Sequence, residues 1–277
     1  MNHFTFRMNL GLIFMRQVAL QNTYSHFGVS RVLVDNRTFY SNKGIMNFAP
    51  LYLYDEAYKK KSKGELDFSD QPSSGRSPNL SPAFIKDYAD RLGLTFIPEG
   101  KGDRIQSFGP EDVFDYMYAV FHSPTYRDRY AEFLKIDFPR LPLTSNIELF
   151  RSLCEIGGRL AALHLMETAI PLVTSYPIAG NNTVEAVRYS APGEGSEMGR
   201  VWINKMQYFE CVPPEVWAFQ IGGYQVCQKW LKDRKGRLLT YDDMTHYRRI
   251  VAVLAETIRL MAGVDEAIAA HGGWPIG

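Results

Sequence analysis

The sequence is poor in the features that mark most small functional classes. It holds 3 cysteines, Cys154, Cys211 and Cys227, with no C-x-x-C pair, so neither a disulfide framework nor a zinc site is expected. Three buried, reduced thiols are the simpler expectation. No run reaches the ~20 apolar residues that span a bilayer. The apolar stretch Leu10–Met15 is short for a secretion signal, ends at Arg16 and lacks a small-residue cleavage pattern. A cytoplasmic protein with no membrane partner is expected. Excess charge is missing as well: 31 Lys and Arg against 30 Asp and Glu leave a formal net charge of +1. A free-standing nucleic-acid binder is ordinarily basic overall, so any such role has to come from a local patch.

Catalytic signatures are also absent. There is no G-x-x-x-x-G-K-S/T loop, no G-x-G-x-x-G after a strand, no H-E-x-x-H and no G-x-S-x-G elbow. Val212-Pro213-Pro214-Glu215 lacks the leading polar residue and trailing aromatic of the amino-methyltransferase tetrapeptide. Asp242-Asp243 falls where a helix begins, which makes capping residues of them rather than paired acids. His164 has no carboxylate or second histidine at metal spacing. No catalytic residue, no metal ligand and no cofactor is therefore expected in this chain.

What the chain does have is an ordinary globular composition with many flat side chains. At 277 residues it can bury a substantial core. An aromatic share of 13% suits either a dense core or an interface rich in rings.

Residues 9–17, 31–35 and 48–54 are short apolar runs separated by Q-N-T-Y-S-H-F-G and N-R-T-F-Y-S-N-K-G, a strand–loop–strand–loop–strand pattern. The first run is apolar on both alternating faces, which predicts a central strand. Arg16 and Gln17 close it, and after Val18–Leu20 the polar residues Gln21, Asn22, Thr23, Tyr24, Ser25 and His26 follow unbroken. Arg, Gln and Asn are the side chains able to make bidentate contacts with base edges. The same residues also describe a plain surface loop, and local chemistry leaves both readings open. Residues 55–82, with the Lys59–Lys63 run and its Ser/Pro/Gly punctuation, read as a solvated excursion. Asp55, Glu56, Glu65 and Asp67 offset its lysines.

Helices come next. Pro110-Glu111-Asp112 is a helical first turn, with Val113, Phe114, Met117, Val120 and Phe121 continuing at helical spacing. Ser123-Pro124 opens a second helix with Tyr126, Tyr130, Phe133 and Leu134 on one face. Ser145-Asn-Ile-Glu148 is a capping box for a long helix near 145–166. Gly157-Gly158 inside it costs ~1 kcal/mol per glycine against alanine, which predicts close approach of another element. Strands are expected near 185–205, and Thr240–Asp243 caps a long helix near 242–262. The tail H-G-G-W-P-I-G is expected to fray. The fold class is α+β: a mixed or antiparallel sheet lobe with several packed helices. A single domain, 1–277, is expected, with a strand-rich sub-lobe 1–105 and a helical sub-lobe 106–277.

The densest stretch is Arg200–Leu239. It holds Trp202, Trp217 and Trp230, a Gly222-Gly223 turn and the cluster Lys229, Lys232, Arg234, Lys235 and Arg237, opposed there only by Asp233. A rigid element presenting charge to an anionic partner and an aromatic core segment ending in a solvated loop both fit this composition.

Three blocks in order carry a resemblance: N-L-G-L-I-F-M-R-Q-V with F-A-P-L-Y-L-Y; the segment Phe108–Thr144; and the segment Val201–Val251. With them the chain resembles the C-terminal specificity domain of type ISP restriction–modification enzymes. The nuclease, helicase-like ATPase and adenine-methyltransferase blocks of those enzymes are missing from it. The resemblance implies recognition of double-stranded DNA, directing adenine-N6 methylation and cleavage performed elsewhere. S-adenosylmethionine, ATP and Mg are implied only for the missing parts, and the parent methyltransferase domain becomes a partner. Under it, Lys229, Lys232, Arg234, Lys235 and Arg237 are phosphate contacts, which position a protein without reading sequence. Arg16, Gln17, Asn22, Tyr24 and Ser25, with Gln225 and Gln228 beside the Gly-Gly turn, are the candidates for base-edge readout, and the tryptophans belong to the core. The alternative is a docking or scaffold module for a methyltransferase that does not itself touch DNA.

Overall fold

The first apolar run, Gly11–Met15 (β1), carries no polar side chain and so needs cover on both faces. It is the centre of a three-stranded antiparallel sheet, between β2 (Phe27–Ser30) and β3 (Met46–Pro50), with Leu12 opposite Val29 and Ile13 opposite Phe48. The computed structural model describes residues 9–18, 24–41, 43–54, 75–193 and 198–277. Asn22 and the Lys59–Lys63 run lie outside these described residues.

The strand expected at 31–35 lies instead at β2. Ser30 ends the ladder with a local turn, its hydroxyl donating to the Val32 carbonyl and accepting from the Val32 amide. Val32 and Leu33 are left 66% and 45% exposed. The run 48–54 is split after Pro50, which has no amide proton to continue a ladder. Its second part, β4 (Tyr52–Tyr54), pairs with β5 (Arg76–Pro78) in a separate sheet.

Ser81 caps α1 (Pro82–Leu92), and a short parallel pair follows, β6 (Thr95–Phe96) with β7 (Ser107–Phe108). The helix α2 (Pro110–His122) is buried nearly all round, as an element apolar on most faces must be. The next predicted helix breaks at Tyr130 into α3 (Pro124–Arg129) and α4 (Ala131–Ile136). Tyr130 leaves helical dihedrals with its ring against Trp274, and Phe133 is turned out to solvent, 58% exposed.

The long helix α5 (Ile147–His164) packs along α2. Its cap is Asn146, whose side chain accepts from the Glu148 and Leu149 amides; the expected Ser145 cap is one residue early. A Cβ at Gly157 would overlap the carbonyl oxygen of Asp115 on α2, so the close approach predicted from the glycine pair is present.

The C-terminal part adds a second antiparallel sheet, β8 (Arg188–Ser190), β9 (Arg200–Trp202) and β10 (Tyr208–Glu210), ordered 10-9-8. After it come α6 (Pro214–Ala218), the hairpin β11 (Gln220–Ile221) and β12 (Tyr224–Gln225), and α7 (Val226–Lys232). The last helix, α8 (Tyr241–Ala270), begins with the reciprocal Thr240–Asp243 cap. It passes its expected end at 262 because Val264 and Ile268 continue the buried stripe. The tail does not fray: Trp274 packs against Tyr126 at 5.9 Å between ring centres, and Ile276 is buried.

Two apolar cores result. The larger spans the first sheet, α2, α5 and the C-terminal half of α8, and so crosses position 105. The smaller is built on β9, β10, α7 and the N-terminal half of α8 through Tyr247, Val251 and Leu254. The α+β class expected from the sequence is the class observed.

Candidate nucleic-acid interface

Two stretches some two hundred residues apart, each singled out by its own chemistry, meet in the fold. Gly222 and Gly223 form the two-residue turn between β11 and β12, with φ of +56° and +82°, the left-handed pair such a hairpin requires. The Gly222 amide donates to the Ser25 carbonyl at 2.9 Å, and its own carbonyl accepts from the Tyr40 amide at 2.7 Å. A Cβ at Gly222 would overlap the Phe39 ring. The hairpin tip is therefore seated on the loops that follow β1 and β2, and only glycine fits.

The base-edge candidates fare differently from one another. Arg16 and Gln17 are exposed at the end of β1. Arg16 Nε lies 3.5 Å from Asp137 Oδ1, an open ion pair, and its guanidinium is 5.2 Å from the Phe138 ring centre. Among the described residues Gln17 Nε2 makes only a long 3.4 Å contact, to the Ile136 carbonyl. Ser25 is half-buried with its carbonyl engaged by the hairpin.

Tyr24 is a correction. It is fully buried, its hydroxyl donating to the Met15 carbonyl at 2.7 Å and accepting from the Met15 amide. Burial pushes that hydroxyl's pKa well up. It braces the strand and offers no surface to a base. Gln225 is also tied inward, donating from Nε2 to the Trp217 carbonyl at 2.6 Å, and Gln228 Oε1 accepts from Lys232 Nζ at 2.8 Å.

The basic cluster divides in the same way. Lys229 is paired with Asp233 at 2.6 Å, and its Nζ lies 5.3 Å from the Tyr224 ring centre. Arg234 is half-buried, with its guanidinium stacked 3.5 Å from the Trp230 ring centre. It also donates to the Trp230 carbonyl at 3.1 Å and lies 3.4 Å from Asp243 Oδ1. Arg234 thus clips α7 to the start of α8. Lys232, Lys235 and Arg237 are exposed and form no ion pair with the described residues. The backbone that carries them is fixed by Gly236 and Arg237, which pair with Val184 at 2.8 and 3.0 Å.

The tryptophans frame this region without being interior. All three are half-buried. Trp217 stacks on Tyr189 at 5.1 Å, Trp230 leans on Tyr247 at 5.4 Å, and Trp202 lies on the sheet against Tyr208 at 4.6 Å.

Sequence reasoning passed over a third component. A cleft of about 410 Å³ opens between the loop 36–46 and the hairpin, lined among others by Asn36, Arg37, Tyr40, Ile45 and Tyr224. Tyr40 is 61% exposed, with its ring 5.9 Å from that of Tyr224. The signal was present in N-R-T-F-Y-S-N-K-G, which reads as a spacer until the hairpin is seen beside it. Among the described residues no three His, Cys, Asp or Glu side chains gather as a metal site, and no helix is long and apolar enough to cross a membrane.

Comparison with known proteins gives one family match and several fold matches. No curated protein matches the sequence. The fold resembles part of a cryo-EM DrdV–DNA complex, with a TM-score of 0.65 and 19% identity, covering 92% of this chain and 24% of that one. It resembles part of the ATP-dependent Type ISP restriction-modification enzyme LlaBIII bound to DNA, with a TM-score of 0.61 and 18% identity, covering 95% of this chain and 16% of that one. A nuclease-deletion mutant of the Type ISP enzyme LlaGI, in complex with a DNA substrate mimic, gives a TM-score of 0.57 at 18% identity, covering 94% and 21%. The chain thus spans between 16% and 24% of the length of these structures, and at such identities the likeness is one of fold. The model of the Type ISP C-terminal specificity domain matches residues 1–263, and the chain belongs to that family.

Proposed function

We propose that this chain reads a DNA sequence for a Type ISP restriction–modification enzyme, directing adenine-N6 methylation and cleavage carried out by other domains. The observation that carries the reading is the seating of the Gly222-Gly223 hairpin on Ser25 and Tyr40. It brings the start of α7 beside the loop that follows β2 and the residues just before β2. Similar folds in structures of DNA complexes support it. Lys232, Lys235 and Arg237 hold phosphates and fix register, while Arg16 and Gln17 meet base edges. S-adenosylmethionine, ATP and Mg then serve the other domains.

Docking on the parent methyltransferase domain is favoured by an apolar segment beside the end of β1. Phe133, Ile136 and Phe138 are 58%, 63% and 42% exposed within one short segment, apolar exposure of the kind interfaces cover. That segment adjoins the base-edge candidates, with Arg16 beside Asp137 and Phe138 and Gln17 reaching the Ile136 carbonyl, so one face would serve either role.

Binding measurements separate them. A random-sequence duplex pool passed over the chain at low salt should enrich one motif. Arg16→Ala or Gln17→Ala should then lower discrimination against scrambled duplex by ~1–3 kcal/mol. Combined alanine substitution of Lys232, Lys235 and Arg237 should weaken both duplexes alike and flatten the salt dependence. Equal binding of all duplexes by the unaltered chain would leave docking as the function.

A further inference from the structure

Ile45 stands on the rim of the 410 Å³ cleft and is 77% exposed. Its backbone is nonetheless held on both sides. Gly44, at φ +78°, sits where a Cβ would overlap the Gln17 carbonyl oxygen. The next residue, Met46, pairs with Met15 in the sheet, and Asn47 Nδ2 donates to the Ile45 carbonyl at 2.9 Å. Ser41 Oγ donates to the Lys43 carbonyl at 2.6 Å and accepts from the Lys43 amide at 3.1 Å. A branched apolar side chain on a fixed backbone is thus displayed to solvent, where it gains nothing for folding.

Its surroundings are cationic. Lys43 and Arg37 are exposed on the same loop, Arg16 follows Met15 on the adjoining strand, and Lys229 lies over the Tyr224 ring across the cleft. Three acids stand among them: Asp35 accepts from the Arg37 amide at 2.7 Å, Asp137 faces Arg16 and Asp233 pairs with Lys229, which leaves Arg37 and Lys43 without an ion pair among the described residues. A protein-docking patch is built from neighbouring apolar residues, as at Phe133, Ile136 and Phe138. Ile45 instead shares its rim with the Tyr40 and Tyr224 rings and with Arg37, and Lys43 precedes it on the loop. That combination fits a polyanion with an apolar interior reachable from its surface, which describes duplex DNA opened at a base step.

We propose that Ile45 is a wedge that enters the base stack of the bound duplex, with Arg37 and Lys43 on the flanking phosphates. This rests on the DNA-reading function proposed above and adds to it a deformation of the DNA. Apolar side chains inserted at a base step unstack and kink the duplex, and the steps that open most easily are preferred. Ile45 would therefore contribute specificity at a position where it makes no hydrogen bond.

The test uses a duplex enriched by the full chain, carrying 2-aminopurine in place of each adenine in turn and pyrrolocytosine in place of each cytosine. Fluorescence should rise several-fold at one step on binding. The rise should persist with Ile45→Phe and be lost with Ile45→Ala, while the Ile45→Ala chain still binds. A bound duplex that stays stacked throughout, or a rise unchanged in Ile45→Ala, overturns the wedge and leaves the reading function standing. Absence of any salt-sensitive duplex binding overturns both.

Discussion

At the scale of single residues, the most consequential buried group outside the interface is His164. The Thr257 hydroxyl donates to the Val253 carbonyl at 2.8 Å, so its lone pair accepts from His164 Nε2 at 3.0 Å. That leaves Nδ1 as the acceptor for the Tyr118 hydroxyl at 2.7 Å. The network fixes a neutral tautomer, and charging the ring would remove the acceptor that Tyr118 uses. Burial, and then the Arg127 guanidinium, pull the His164 pKa down to about 4. An unfolded histidine titrates near ~6.5. Between these values the unfolded chain takes up a proton that the folded chain refuses, so stability falls as pH drops through that window, by roughly 3 kcal/mol. His122 and His26 act in the same sense, also lowered chiefly by burial. Asp115, raised by burial to about 6, acts in the opposite sense. Urea midpoints of His164→Gln should accordingly fall less between pH 6.5 and pH 4 than those of the unaltered chain. Equal falls would contradict the assignment.

At the scale of elements, two helices meet through a residue without a side chain. A Cβ at Gly157 would overlap backbone on α2, whereas one at Gly158 would stand 2.9 Å from a side-chain atom, Asp115 Oδ2, which Lys101 holds at 2.7 Å. Alanine gains ~1 kcal/mol of helix propensity at either site, but backbone overlap is not relieved by a rotamer change. Gly157→Ala should therefore lose about 1–3 kcal/mol net or more by denaturant unfolding, and Gly158→Ala clearly less. The glycine pair, the Pro110 start and the Thr240 cap were legible because each is a local necessity. The strand at 31–35 was misplaced because one hydroxyl, that of Ser30, ends the ladder before the β-branched run begins. The roles of Tyr24 and Arg234 could not be read at all, since each depends on a partner that only the tertiary fold supplies: the Met15 backbone for one, Trp230 and Asp243 for the other. Of the base-edge candidates, Arg16 and Gln17 remain exposed, and the 36–46 loop joins them.

At the scale of the whole molecule, the near-neutral charge and the local cationic region are consistent. Many surface cations are matched by carboxylates, as in Arg31 with Glu167 and Arg159 with Glu256, whereas Lys232, Lys235 and Arg237 form no ion pair with the described residues. On the proposed function, one face of the duplex is held here and another by the remaining domains, and a chain on its own binds weakly and with steep salt dependence. The central claim is that this chain decides which sequence is modified. The direct measurement exchanges it for the specificity domain of another Type ISP enzyme and maps methylated adenines in cells carrying each hybrid. The methylated sequence should follow the exchanged chain. A methylated sequence that stays with the other domains would contradict the account.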